Sequence, residues 1–275
     1  MRYGMCYLGS KSENAEEIIH ALPNGKRLVD LFGGGFAISH CALLSGKYPN
    51  VLYNDINPLL GPLISDAIAG KYNYENFIPE WISRDRFHEQ KMADGYIKYI
   101  WSFGCNGWDY IYSKEKECQK RHLHEALFRD HPQDVKQKRI VLPERLNHLE
   151  RIERLQELTV LAGIPFDMTC MDYREYEYQD GDVVYCDIPY QNAADIRIIK
   201  QYQRRFDHGE FYAWAVSRPF PVYFSSYKLG GVVWERDKYV RIDKNSNTHV
   251  RREVLYCADN DFQAPKRYYQ GYLFE

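Results

Sequence analysis

The stretch KRLVDLFGGGFAISHCALLSGKYPNVLYNDI, residues 26–56, decides the fold. KRLVDLF (26–32) has the short apolar run of a buried strand, Gly33, Gly34 and Gly35 break it, AISHCALLSG reads as helix, and NVLYNDI (50–56) reads as a second strand. Strand, helix, strand in that order is a βαβ unit, which builds a parallel sheet. The same signature resumes far downstream, in FDMTCMD (166–172), DVVYCDI (182–188) and PVYFSSY (221–227), with VVWERDKYVRI (232–242) and REVLYCA (252–258) as a closing pair joined by DKNSNTH (243–249). Between the two sets, from about residue 70 to 158, the chain turns charged, aromatic and helical. That segment ends in PERLNHLERIERLQEL (143–158), where Pro143 is placed to start a helix and Leu146, Leu149, Ile152, Leu155 and Leu158 fall on one side. The expected organisation is an α/β domain of residues 1–69 and 159–275, split by a helical insert of residues 70–158.

With 275 residues, 45% of them hydrophobic and 27% charged, the chain can bury one sizeable core and a smaller second one. Its apolar runs are too short to span a bilayer, and Glu13, Glu16 and Glu17 stand where a signal peptide would be apolar, so a cytoplasmic protein with no membrane partner is expected. Seven scattered cysteines without a CxxC pair predict free thiols in a reducing compartment and no zinc site. Cys118, His122 and His124 read as residues of an exposed helix, with no metal. The formal net charge of −2 excludes a protein that is basic all over, but a nucleic-acid groove needs only local positive charge.

Several strand ends carry chemistry. Asp30 closes the first strand, and the three glycines after it let backbone approach a ligand closely. A strict GxGxxG is absent, since Ala37 and Ile38 follow Gly35. Asp55, at the end of the second strand, stands where an acid holds the two hydroxyls of a ribose, although a turn or helix cap would use the same residue. Asp187-Ile188-Pro189-Tyr190 places a carboxylate, main-chain carbonyls and an aromatic ring after an apolar strand. One carboxylate oxygen and one carbonyl suit the two hydrogens of an exocyclic amine, with the ring stacked on its base; a packed Pro-Tyr turn is the plain alternative. Tyr7, Gly9 and Lys11 precede an amphipathic helix, where Lys11 can meet a ligand carboxylate, and Asp172 with Tyr173 ends a further strand.

The order YLGSK, DLFGGG, NDIN, helical insert, MDY, DIPY, YFSSY resembles the Dam-like family of DNA adenine methyltransferases, closest to its phage and prophage branch. SFGCNGWDYIY (102–112) and FDHGEFYAWA (206–215) extend the resemblance over nearly the whole chain. It implies a class I, Rossmann-like S-adenosylmethionine-dependent methyltransferase sheet with an inserted helical target-recognition subdomain. It also implies S-adenosyl-L-methionine as methyl donor, S-adenosyl-L-homocysteine as product, no metal, and the 6-amino group of adenine in double-stranded DNA as acceptor, reached by base flipping. Tyr7 and Lys11 then match the first cofactor motif, Asp30, Phe32, Gly33, Gly34 and Gly35 the second, Asp55 the ribose acid, and Asp172 with Tyr173 the cofactor-adenine contact. Asp187, Ile188, Pro189 and Tyr190 match the catalytic motif, with Asp187 also facing the cofactor. Ile188 stands where the family has a proline and Phe36 where it often has a glycine. Near the flipped base, Asn106, Tyr110, Lys114, Ser226 and Tyr227 are the DNA-contact candidates, although a solvated helix face or a core aromatic is the commoner role for each. An RNA or protein-amide acceptor on the same fold, and a catalytically silent binding module, are the competing readings. A stand-alone methylase and one half of a restriction-modification pair fit equally well.

Overall fold

The computed structural model describes residues 2–128, 144–189, 206–227, 242–244 and 251–258, with 227, 242–244 and 251–254 described by backbone alone. The chain forms two compact units. One comprises Glu13–Gly33, Cys41–Ile56 and Pro165–Glu275, the other Met1–Ser12, Gly34–His40 and Asn57–Ile164. The helical unit therefore includes, besides the expected insert of residues 70–158, residues 57–69 and 159–164, the N-terminal segment and the residues from Gly34 to His40.

The first unit holds a sheet of strands β1 (Arg27–Asp30), β2 (Asn50–Asn54), β3 (Asp167–Thr169), β4 (Asp182–Cys186), β5 (Val222–Tyr227), β6 (Ile242–Lys244) and β7 (Arg251–Ala258). Among the described residues their order is β3-β2-β1-β4-β5-β7-β6. β1 to β5 are parallel, and β7 runs antiparallel to both β5 and β6. This is the class I methyltransferase sheet. The strand order reverses between β1 and β4, whose registers pair Asp30 with Tyr185. Asp243 and Lys244 pair with Arg252 and Arg251 and so extend β6, where the sequence suggested a connection; cross-strand hydrogen bonding to β7 overrides their loop-like composition. Residues 232–241 of the expected closing strand lie outside the described residues.

The sheet's apolar face is covered by helix α8 (His208–Val216), which Asp207 caps by accepting the Glu210 N–H at 3.0 Å. Phe211, Trp214 and Ala215 fall at i, i+3 and i+4 and pack into a core with Val29, Leu31, Val184, Phe224 and Tyr256. Each of the larger apolar side chains contributes roughly 1.5–3 kcal/mol by leaving water. At the opposite, amino end of the strands, Arg27 grips Asp182 with two hydrogen bonds of 2.8 Å, fixing β1 against β4. Helices α1 (Ala15–Ala21) and α2 (Ala37–Ser45) complete the N-terminal third.

The helical unit contains α3 (Leu60–Ile68), α4 (Arg84–Gln90), α5 (Gly95–Ile100), α6 (Lys114–Phe128) and α7 (Asn147–Gln156). Leu146, Leu149, Ile152, Leu155 and Leu158 are all buried, as the spacing predicts. The helix itself begins at Asn147, later than Pro143. Lys120 donates to the Arg145 carbonyl at 2.8 Å and pairs with Glu144, and Leu146 is extended.

Two expectations are corrected here. Cys6 and Cys105 form a disulfide across 99 residues, leaving Cys41, Cys118, Cys170, Cys186 and Cys257 as free thiols. The pair was invisible in sequence because only the fold brings the N-terminal segment to the 102–107 turn. His124 is buried and not on an exposed helix face, since α6 turns it onto the α7 side, where its Nδ1 lies 2.9 Å from Nε2 of His148. No metal-ligating cluster occurs among the described residues, and no described helix is long and apolar enough to cross a membrane.

Candidate active site

Parallel strands deliver their carboxyl ends to one edge of the sheet, and ligands of open α/β sheets bind there, beside the point where strand order reverses. Asp172 follows β3, Asp55 follows β2, Asp30 ends β1 and Asp187 follows β4, so all four acids stand at this edge in spatial order. Asp30 and Asp187 flank the buried Cys186 thiol, whose pKa is pushed well above the usual range by burial and then by these two carboxylates. Ser226, buried, and Tyr227 lie at the end of β5, next to β4.

The loops leaving β1, β2 and β3 are tied together by Asn54, which is 1% exposed. Its Nδ2 donates to the carbonyls of Leu31 (2.9 Å) and Met171 (3.1 Å), and its Oδ1 accepts from the Met171 N–H (2.9 Å) and the Thr169 hydroxyl (2.9 Å). An amide has two donors and two acceptor positions, and all four are used. Sequence reasoning passed over Asn54 for its neighbour Asp55. The signal was there in retrospect, an amide closing an otherwise apolar strand.

Gly33 donates its N–H to the Asn54 carbonyl at 2.8 Å, and a Cβ added to it would fall 2.2 Å from the Tyr53 ring. Phe32 and Tyr173, predicted from separate motifs, are in contact, with ring centroids 5.3 Å apart. Tyr173 also packs on Phe211 and Trp214, and burial raises its hydroxyl to about 12, so its ring belongs largely to the core. Asp172 is held bidentately by Arg174 at 2.8 and 2.7 Å, which lowers its pKa, while Arg174 also reaches Glu210 at 2.6 Å. A ligand amine at Asp172 would share a carboxylate already engaged.

In the Asp187-Ile188-Pro189 turn, Ile188 is buried in the core and the Pro189 carbonyl accepts from His208 Nε2 at 2.6 Å. Burial lowers the His208 pKa, favouring the neutral ring that makes this bond. His208, the first residue of α8, is a second positioning residue missed in sequence. Tyr190 lies outside the described residues.

In the helical unit, Tyr7 rests on the glycine turn. A Cβ on Gly34 would lie 3.0 Å from its ring and one on Gly35 2.5 Å from its Cβ, and the Gly35 carbonyl accepts from Met5 N–H at 2.9 Å. Phe36 adopts φ +70°, the left-handed backbone that glycine takes freely and that costs another residue roughly 1–2 kcal/mol. The position where the family often has glycine thus keeps a glycine-like backbone. Lys11 is buried, its ammonium donating to the Gly9 carbonyl at 3.3 Å.

The DNA-contact candidates of this unit divide. Asn106 is committed to its own turn, donating to Asp109 (2.9 Å) and accepting from the N–H groups of Trp108 (2.8 Å) and Asp109 (3.1 Å). Tyr110 is buried, donates to the Ile82 carbonyl at 2.7 Å and lies under the Arg84 guanidinium. Lys114 is exposed at the start of α6.

A sheet of order β3-β2-β1-β4-β5-β7-β6 with β7 antiparallel, a glycine turn after β1 and acids at four neighbouring strand ends has the layout of a class I methyltransferase. Residues 7–213 match the family model of the D12 class N6 adenine-specific DNA methyltransferases, and the chain belongs to that family; it is an adenine-specific DNA methyltransferase. No curated protein sequence matches it. Among solved structures it is similar to the rRNA methyltransferase aviRa from Streptomyces viridochromogenes, at 15% identity over 89% of this chain and 83% of that one, with a TM-score of 0.34.

Proposed function

We propose that the protein transfers a methyl group from S-adenosylmethionine to the 6-amino group of an adenine flipped out of duplex DNA. The observation that carries this is the row of acids at the carboxyl edge, with Asp187 beside the strand-order reversal. The residues fit the cofactor: Gly33 lets the backbone after β1 turn tightly over Tyr53, Asp55 offers the ribose acid, and Phe32 an apolar wall. When bound, S-adenosylmethionine supplies an electrophilic methyl group on a sulfonium.

The chain's own residues then prepare the acceptor. An exocyclic amine is a poor nucleophile while its lone pair is delocalised into the base. A carboxylate oxygen of Asp187 and the carbonyl of Ile188 accept its two hydrogens and favour a tetrahedral nitrogen. The Pro189 carbonyl is held by His208, which fixes the turn. Tyr190 stacks on the extruded ring. Orientation and exclusion of water of this kind supply roughly 7–11 kcal/mol of the barrier, and the surplus proton passes to solvent. The helical insert, 70–158, reads the target sequence.

The test incubates the protein with unmethylated duplex DNA and labelled S-adenosylmethionine, then identifies the labelled nucleoside by mass spectrometry. Label in 6-methyladenine is expected, and Asp187→Ala abolishes it with an unchanged circular dichroism spectrum. Label in cytosine, or none despite bound cofactor, overturns the assignment.

A further inference from the structure

Lys98, on α5, is 5% exposed, yet no carboxylate pairs with it among the described residues. Its stem runs along Gly107, where a Cβ would lie 3.0 Å from Lys98 Cε, and its ammonium sits 5.3 Å from the ring centroid of Trp108 and 5.8 Å from that of Tyr99. Lys91, just after α4, places a second ammonium 5.6 Å from the same indole, donates to the Trp108 carbonyl at 2.8 Å and lies 3.4 Å from His88 Nδ1. It too has no carboxylate partner among the described residues. Burial and the charge of Lys91 both lower the Lys98 pKa, the signature of two cations gathered without an anion.

Gathering two ammoniums around one indole with no anion beside them is unfavourable unless a ligand completes the site. Aromatic faces offset part of that cost, but neither ring supplies the negative charge. The turn that carries Trp108 is itself rigid, braced by Asn106 and Asp109. We propose that Lys91 and Lys98, set around Trp108, form a clamp for a backbone phosphate of duplex DNA. This rests on the DNA reading above and locates the basic face that composition left unplaced. A phosphodiester suits the clamp because it presents charged acceptor oxygens to two ammoniums at once.

Anisotropy titrations of a fluorescent, unmethylated duplex at 50–200 mM KCl test this on the full chain. Each lost phosphate contact removes about 0.9 from the slope of log K against log salt. Lys98→Gln and the more exposed Lys91→Gln should each flatten the slope by about 1 and weaken binding equally for all duplex sequences. Over this fourfold salt range the affinity of each variant then falls about fourfold less than that of the original chain. Lys98→Arg, which keeps the charge, should retain the slope, and circular dichroism separates this effect from misfolding. An unchanged slope in folded Lys98→Gln and Lys91→Gln, with the original chain binding DNA, overturns the clamp alone. Failure of the original chain to bind duplex DNA overturns the DNA reading and the clamp with it.

Discussion

Asn54 and Met171 are joined twice: Asn54 Nδ2 donates to the Met171 carbonyl at 3.1 Å, and the Met171 N–H donates back to Asn54 Oδ1 at 2.9 Å. This reciprocal pair links the loops after β2 and β3, which carry Asp55 and Asp172. The same side chain holds the β1 loop through Leu31. Asn54→Ala leaves buried main-chain groups without partners, at about 1–3 kcal/mol for such a group. We expect a loss of about 2–4 kcal/mol in urea unfolding and a cofactor KM raised more than kcat falls. Equal stability and an unchanged KM would remove Asn54 from the positioning role.

Gly33→Ala drives a Cβ to within 2.2 Å of the ring of Tyr53, a residue 1% exposed, so one of the two must shift. Overpacking of this kind costs about 1–3 kcal/mol. The expected result is a lower unfolding midpoint together with weaker cofactor binding by calorimetry. Gly46→Ala, with nothing near its Cβ but a left-handed backbone (φ +65°) that Gly33 does not share, shows what backbone strain costs without overpacking.

Three buried histidines make stability fall in acid. Burial, and then Arg154, hold His40 at about 4, burial holds His124 at about 4, and burial with His124 and Arg151 holds His148 well below the ordinary value. The Tyr112 hydroxyl lies 2.7 Å from His148 Nδ1, and His148 Nε2 lies 2.9 Å from His124 Nδ1, a chain that protonating both rings would break, since two N–H groups would then face each other. A folded pKa below the unfolded value of about 6.5 means the unfolded chain binds more protons, so the stability present above pH 6.5 is lost as pH falls toward 4. Each histidine contributes a slope of up to about 1.4 kcal/mol per pH unit. Urea midpoints measured from pH 8 to pH 4 should decline, and His124→Gln should flatten the decline.

Cys6–Cys105 closes a loop whose ends are 99 residues apart and so restricts the unfolded chain by about 4–5 kcal/mol in the chain-entropy account. Alkylation in denaturant without reductant should label five thiols by mass spectrometry, and seven after reduction. Cys6→Ser should lower the unfolding midpoint only under non-reducing conditions. Seven labels without reductant would show the pair to be open.

Local pattern was enough for the βαβ start and the later strands, because periodicity and glycine turns are properties of neighbouring residues, whereas the main stretch of the helical unit begins at Asn57, ahead of the change in composition near residue 70. It also placed Asp30, Asp55, Asp172 and Asp187 at strand ends, since an acid after an apolar run has nowhere else to go. Other features needed the tertiary structure, because their partners are remote in the chain. Asn54 acts through Leu31 and Met171, His208 through Pro189, Cys6 through Cys105, and Lys98 is unusual only for the indole and second lysine around it. Asn106 and Tyr110 show the converse, since polar residues that look available in sequence are consumed by hydrogen bonds within the fold. Sequence by itself determined which residues could do chemistry and where strands would deliver them. Tertiary structure decided which were held, which were buried and which charges were left without an opposite, because burial and pairing depend on contacts that sequence spacing does not encode.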